Sequence, residues 1–172
     1  MRKGYIQIYT GNGKGKTTAA LGLALRAAGA GLKIFIGQFI KHRRCSEHKA
    51  LERFSDLITI RQYGNGFLKG GKPGKADIDI AKTGLEDIKG IIGSKKYDIV
   101  ILDEINVAAY YGLISVDDII GVLSGKPSGV ELVLTGRYAD ARVIEAADLV
   151  TEMMEIKHYM TDGVGSRTGI EC

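Results

Sequence analysis

Tryptophan is missing from these 172 residues, and proline and cysteine appear only twice each. Cys45 and Cys172 form neither a CxxC nor a zinc spacing, so a disulfide scaffold and a zinc ribbon are both excluded and reduced thiols are expected. No apolar run approaches the ~18–20 residues of a membrane-spanning helix, so no membrane partner is expected. Met1-Arg2-Lys3 leads straight into a strand-like segment instead of a signal-peptide core, which points to the cytoplasm. A dominant charge is lacking too: 24 basic against 20 acidic side chains leave a formal +4. That is too mild to argue for nucleic acid, although it suits small polyanionic ligands. The one basic run, Lys41-His42-Arg43-Arg44, reads as a solvated loop. What is plentiful is glycine, with 24 residues, and the lack of a G-X-Y period excludes collagen. Hydrophobic residues at 45% and charged residues at 26% exclude a disordered chain or a coiled coil. The length suffices for one buried core, and 1–172 reads as a single domain.

Along the chain, strands alternate with helices. Strands are expected at 5–9, 33–40, 58–62, 99–102, 131–135 and 148–153, and a helix at 17–28 with Gly29 and Gly31 available to end it. Ala81, Leu85, Ile88 and Ile92 fall on one helical stripe, with Asp77 as its N-cap. Segments 116–123 and 139–146 have helical length and spacing. Near-continuous Ile, Val and Leu strands separated by helices imply an α/β fold, with a mostly parallel sheet and helices on both faces. Residues 64–75 form the longest irregular stretch, a length that often carries function.

Thr10-Gly11-Asn12-Gly13-Lys14-Gly15-Lys16-Thr17-Thr18 follows a strand and opens a helix, which is the placement of a phosphate-binding P-loop. Backbone N–H groups of Gly11, Asn12, Gly13, Lys14, Gly15, Thr17 and Thr18 can surround an anion, helped by the positive end of the helix. Lys16 reaches the terminal phosphates and the Thr17 hydroxyl suits Mg²⁺. The pattern departs from the usual one at Thr10, where a glycine is the rule. Tyr97-Asp98-Ile99-Val100-Ile101-Leu102-Asp103-Glu104 is an apolar strand ending in two carboxylates. In open α/β sheets, ligands sit at the carboxyl ends of strands, so Asp103 and Glu104 should face the phosphates and their metal. These residues imply nucleoside triphosphate with Mg²⁺ or Mn²⁺. They leave open an ATPase, a small-molecule kinase and a non-catalytic nucleotide switch. In a hydrolase, Glu104 would orient water at the γ-phosphate.

Further landmarks follow in order: Gly37-Gln38-Phe39-Ile40-Lys41, Leu102-Asp103-Glu104-Ile105-Asn106, Leu134-Thr135-Gly136-Arg137, the run from Ile144 to Met153, and Gly169-Ile170-Glu171. With the P-loop, this series resembles the ATP:cob(I)alamin (corrinoid) adenosyltransferase family of P-loop type, over nearly the whole chain from Gly4. The resemblance implies a RecA-like fold, a homodimer, and transfer of the 5′-deoxyadenosyl group of ATP to Co(I) of cobalamin or another corrinoid, with release of triphosphate. It also implies ATP bound with its phosphates reversed relative to ordinary P-loop ATPases, and a reduced flavoprotein as electron donor. Thr17 and Glu104 would hold the metal with Asp103 in support, and Lys16 would meet the charge on the leaving triphosphate. Phe67 would crowd the lower face of the corrin, where Lys69 stands two residues on in place of a tryptophan found in some members. Arg137 would contact a phosphate or the corrin's amide rim. His42, His48 and His158 form no metal constellation and read as structural or surface residues.

Overall fold

The computed structural model describes residues 3–66 and 72–171. The elements run β1 (Ile6–Thr10), α1 (Lys16–Gly29), β2 (Ile34–Phe39), α2 (Ser46–Leu51), β3 (Ile58–Tyr63), α3 (Lys75–Ser94), β4 (Ile99–Asp103), α4 (Ile105–Tyr110), α5 (Val116–Ser124), β5 (Glu131–Thr135), α6 (Ala141–Glu145) and β6 (Leu149–Glu152). The six strands form one sheet in the order β3-β2-β4-β5-β1-β6. Every pairing is parallel. Strands β2, β4 and β5 are buried at every residue, as strands covered on both faces must be. At the sheet's edge, β6 is exposed throughout. Among the described residues no helix is long and apolar enough to cross a membrane.

Two cores flank the sheet. On one side Ala20, Ala24, Ala27 and Ala28 of α1 pack on Ile34, Ile36, Ile101 and Val133, and their small size lets the helix lie close to the strands. On the other, Leu85, Ile88 and Ile92 of α3 join Phe35, Phe39, Val100, Leu132 and Leu134 with Ile119 and Val122 of α5. The expected apolar stripe of α3 is therefore its buried face. Asp77, however, is not the N-cap. The helix begins a turn earlier with Gly74 as cap, and the Asp77 carboxylate accepts the Gly74 N–H at 2.8 Å. An acid at the third helical position accepts the cap residue's own N–H, the reciprocal half of a capping box. Two short helices, α2 and α4, stand where the sequence pattern gave none; six residues each are too few to show a helical period.

Candidate active site

Strand β1 delivers the chain to a tight loop. The carbonyl of Thr10 accepts the Met153 N–H at 2.9 Å, and the Gly13 N–H donates to the Met153 carbonyl at 2.7 Å. Thr10 is thus the last strand residue, and the left-handed turn falls one residue later, at Gly11 with φ +92°. This explains the departure from the usual pattern. A Cβ on Gly11 would collide with the Met153 carbonyl, and one on Gly13 would sit 2.7 Å from it. The chain's own packing requires these glycines, whatever the loop binds. Gly13 spends its N–H on Met153, so the donors left for an anion are its neighbours.

Gly15, at φ +120°, caps α1 without any side-chain hydrogen bond, and no acidic residue lies in the first turn. The first N–H groups of the helix consequently have no partner a turn back, and the positive end of the dipole is uncompensated. Beside it, Lys16 is buried and its Nζ donates to the carbonyls of Gly11 and Gly13 at 2.7 and 2.6 Å. Burial, and then the Arg137 charge, hold the ammonium's pKa below its ordinary value, against the pull of Glu104 and Glu155.

Asp103, at the end of β4, is the hub. It is 1% exposed. Its Oδ1 accepts the hydroxyls of Thr17 and Thr135 at 2.8 and 2.7 Å, and its Oδ2 accepts the Gln38 amide at 3.0 Å. Lys41 stands 3.6 Å from the same oxygen. The sheet assembles this cluster: β2 and β4 pair with Gln38 opposite Asp103, and β4 and β5 pair with Leu102 opposite Leu134, one residue before Asp103 and Thr135. Glu104 follows in a left-handed conformation, φ +61°, with its N–H on the Thr135 hydroxyl at 2.9 Å. Burial, then the neighbouring Asp103 charge, raise the Glu104 pKa, partly offset by Lys41, Lys16 and Arg137. Two buried oxygens nearby, Gln38 Oε1 and Asn106 Oδ1, have no hydrogen-bond partner among the described residues. Such an assembly of an uncapped helix start, cations and hard oxygens can hold a polyphosphate with a divalent ion.

A sequence profile of the family described as ATP:corrinoid adenosyltransferase BtuR/CobO/CobP matches residues 2–172. The chain belongs to this family. Corrinoid adenosyltransferases from Pseudomonas aeruginosa and a Sinorhizobium species are similar to it at 32% and 37% identity; the alignments take in 98% of this chain and 84% and 80% of those relatives. Among solved structures, a KaiC-like protein from Pyrococcus horikoshii aligns over 88% of this chain and 73% of its own, with a TM-score of 0.60 at 17% identity. At that identity the likeness is one of fold alone, and the fold is the P-loop α/β architecture expected from the sequence.

In this adenosyltransferase the expected site residues gather unevenly. Lys16, Thr17, Asp103 and Glu104 converge, and half-buried Arg137 acts electrostatically on both Lys16 and Glu104. The hydroxyl of Thr17 meets Asp103 instead of Glu104. Asn12, Lys14 and Thr18 are exposed on the outer side, and Lys14 Nζ donates to the Ile170 carbonyl at 3.3 Å. Phe67, Lys69 and Cys172 lie outside the described residues. Reading Lys41 as part of a solvated loop is corrected: left-handed Ile40 turns the chain so that Lys41 lies between Asp103 and Glu47, 3.6 and 3.8 Å away. Gln38 and Thr135 stand within the landmark segments, but the sequence alone gives neither a role in the site. Thr135 closes an apolar strand and Gln38 stands one residue before the end of another, and a polar residue at that place is the signal that could have found them.

Proposed function

We propose that this chain transfers the 5′-deoxyadenosyl group of ATP to the Co(I) centre of a corrinoid and releases triphosphate, using the strand-end cluster described above. ATP and a corrinoid are the substrates that fit the family. One observation carries the assignment to these residues. The uncapped start of α1, Lys16 and the Thr17–Asp103 pair meet at a single strand edge, in a chain that matches the family from end to end.

The cobalt electron pair forms the bond to C5′, the C5′–O bond breaks, and its electrons leave on the triphosphate, so cobalt becomes formally Co(III). Co(I) is already a strong nucleophile, which leaves the protein two tasks: aligning cobalt with C5′ and stabilising the charge that grows on the leaving group. Helix N–H groups and Lys16 suit the second task. The Lys16 ammonium exchanges a loop carbonyl for a phosphate oxygen at little cost in geometry. Thr17, Asp103 and Glu104 offer the hard oxygens that would hold Mg²⁺ or Mn²⁺, and the unpartnered Gln38 Oε1 adds to that donor set. Such an ion supplies charge neutralisation on the triphosphate. Lys41, 3.6 Å from Asp103 Oδ2, orients that carboxylate, and Arg137 serves the phosphates or the corrin amides.

Phe67 is assigned to the lower face of the corrin. Gly66, just before it, donates its N–H to the Ile40 carbonyl at 2.9 Å, so Gly66 itself sits against the turn after β2, next to Lys41. A second copy of the chain and a reduced flavoprotein supplying the electron to cobalt complete the reading, which places the enzyme in the cytoplasm. The test is incubation with ATP, Mg²⁺ and chemically reduced cobalamin. Triphosphate and a cobalt–carbon bond are expected; ADP as the sole phosphate product would overturn the assignment in favour of chemistry at the γ-phosphate. Phe67→Ala should slow turnover from Co(II) more than from preformed Co(I), and equal losses would reduce Phe67 to a packing residue.

A further inference from the structure

We infer that the stacked Tyr110–Tyr138 pair is a resting surface for the corrin ring, beside the phosphate site. The inference deepens the adenosyltransferase reading and rests on it. Tyr110 closes α4 and Tyr138 follows Arg137, beyond the end of β5. Their ring centroids are 4.0 Å apart at an interplanar angle of 25°, and Tyr111 adds an edge-on ring 5.2 Å from Tyr110. Burial does not explain the pair, since Tyr110 is 60% and Tyr138 47% exposed. Nor does backbone comfort: Tyr138 sits at φ +61°, a conformation that costs energy for any residue bearing a Cβ and that collects at functional sites. Ile40 and Glu104, also left-handed, stand beyond β2 and β4 at the same edge of the sheet. Thr135, three residues before Tyr138, donates its hydroxyl to Asp103 at 2.7 Å and accepts the Glu104 N–H at 2.9 Å, and α4 starts directly after Glu104, so both segments that carry the rings start from the place where triphosphate would leave.

The chemistry of the patch selects its occupant. Three phenol rings packed on one another leave outer faces and edges exposed side by side, and among the described residues none bonds to their hydroxyls. A corrin is a wide, largely apolar macrocycle, so the exposed ring surfaces find a partner on it. Adenine is far smaller and would need only one ring.

The experiment uses the full chain and three variants, Tyr138→Gly, Tyr138→Phe and Tyr110→Ala. Glycine at 138 removes the ring while relaxing the left-handed backbone, so loss of affinity there is not distortion. Steady-state KM values for reduced cobalamin and for ATP are measured, together with the Kd of hydroxocobalamin by equilibrium dialysis. Tyr138→Gly and Tyr110→Ala should raise corrinoid KM and Kd roughly three- to tenfold. The KM for ATP should stay within about twofold, and Tyr138→Phe should keep corrinoid affinity because the ring face makes the contact. Unchanged corrinoid affinity in Tyr138→Gly would overturn the inference. So would a loss confined to ATP, which assigns the rings to adenine, or a change in oligomeric state by light scattering, which assigns them to a second copy. A wild-type chain that forms no adenosylcorrinoid would fail earlier and differently, removing the reaction itself.

Discussion

At the amino ends of the strands, charged side chains are spent on the chain itself. Glu131 accepts the Tyr5 N–H and the Gln7 amide, both at 2.6 Å; Asp148 accepts the Ile6 N–H at 2.8 Å; Lys126 donates to the Gly4 and Val130 carbonyls at 2.7 and 2.9 Å. The carboxyl ends of the same strands are built otherwise. Ile40, Glu104 and Tyr138 hold left-handed backbones there, whereas the left-handed non-glycine residue at the amino edge, Lys95, only ends α3 as its C-cap. Gln38 Oε1 and Asn106 Oδ1 are buried without partners among the described residues, and α1 starts with no side-chain cap. The contrast divides labour within one sheet. One edge closes its valences and contributes stability; the other leaves them for a ligand and bears the strain that goes with it.

The sharpest way to break this division is to find that a carboxyl-edge variant loses stability instead of rate. Lys16→Ala should lower kcat about 10²–10³-fold, the effect of removing one preorganised donor to a growing negative charge. ATP should still bind detectably, because backbone donors remain. Unchanged turnover would take Lys16 out of the mechanism.

The converse holds at the amino edge. Glu131→Ala leaves the Tyr5 N–H and the Gln7 amide without a charged acceptor, a loss of about 2–4 kcal/mol. The Tm should then fall by about 5–15 °C, while kcat at 25 °C stays within about twofold of wild type. A thermal melt and an initial-rate assay on the same preparation decide it; a rate collapse in still-folded protein would merge the two edges.

The sequence already displayed much of this arrangement, but unequally. The strands were readable because each is a short apolar run, and α1 because the GKT triplet marks its start. Asp103 was readable as a carboxylate closing such a run. Its partners were not, because Gln38, Lys41 and Thr135 reach it only through parallel pairing across β2, β4 and β5, and no local pattern encodes register between distant strands. Asp77 failed for a different reason: an acid before a helical stripe fits the cap and the third helical position equally, and only the backbone of Gly74 distinguishes them.

Glu104 lets pH sharpen the comparison. Its folded-state pKa lies above the ordinary 4.5, chiefly through burial. The folded protein therefore keeps this proton to higher pH than the unfolded chain. The associated stability is complete below about pH 4.5 and is lost as pH rises through the elevated value. Glu104→Gln stays neutral throughout, so without nucleotide or divalent ion it should melt above wild type at pH 8, with the difference vanishing near pH 4. Turnover should move the opposite way. The wild-type rate should fall in acid as the carboxylate protonates, and Glu104→Gln should be slow at every pH. A variant that melts below wild type at pH 8 would mean that the carboxylate is stabilising there and that this edge is not strained.

The smallest effect belongs to helix starts. Ser115 caps α5, its hydroxyl accepting the Asp118 N–H at 3.1 Å while the Asp118 carboxylate reaches back to the Ser115 N–H. Its partners are internal, so Ser115→Ala should cost only about 1 kcal/mol, a Tm shift of about 2–4 °C, and leave both KM values alone. The start of α1 offers no such side chain to delete; its missing cap is what a triphosphate would supply. Saturating ATP with Mg²⁺ should therefore raise the Tm of Ser115→Ala and wild type by equal amounts, since the α5 cap and the α1 start act independently when they share no partner. A smaller ligand-induced shift in the variant would show that α5 helps to build the phosphate site, and that a capped and an uncapped helix start are not separable in this fold.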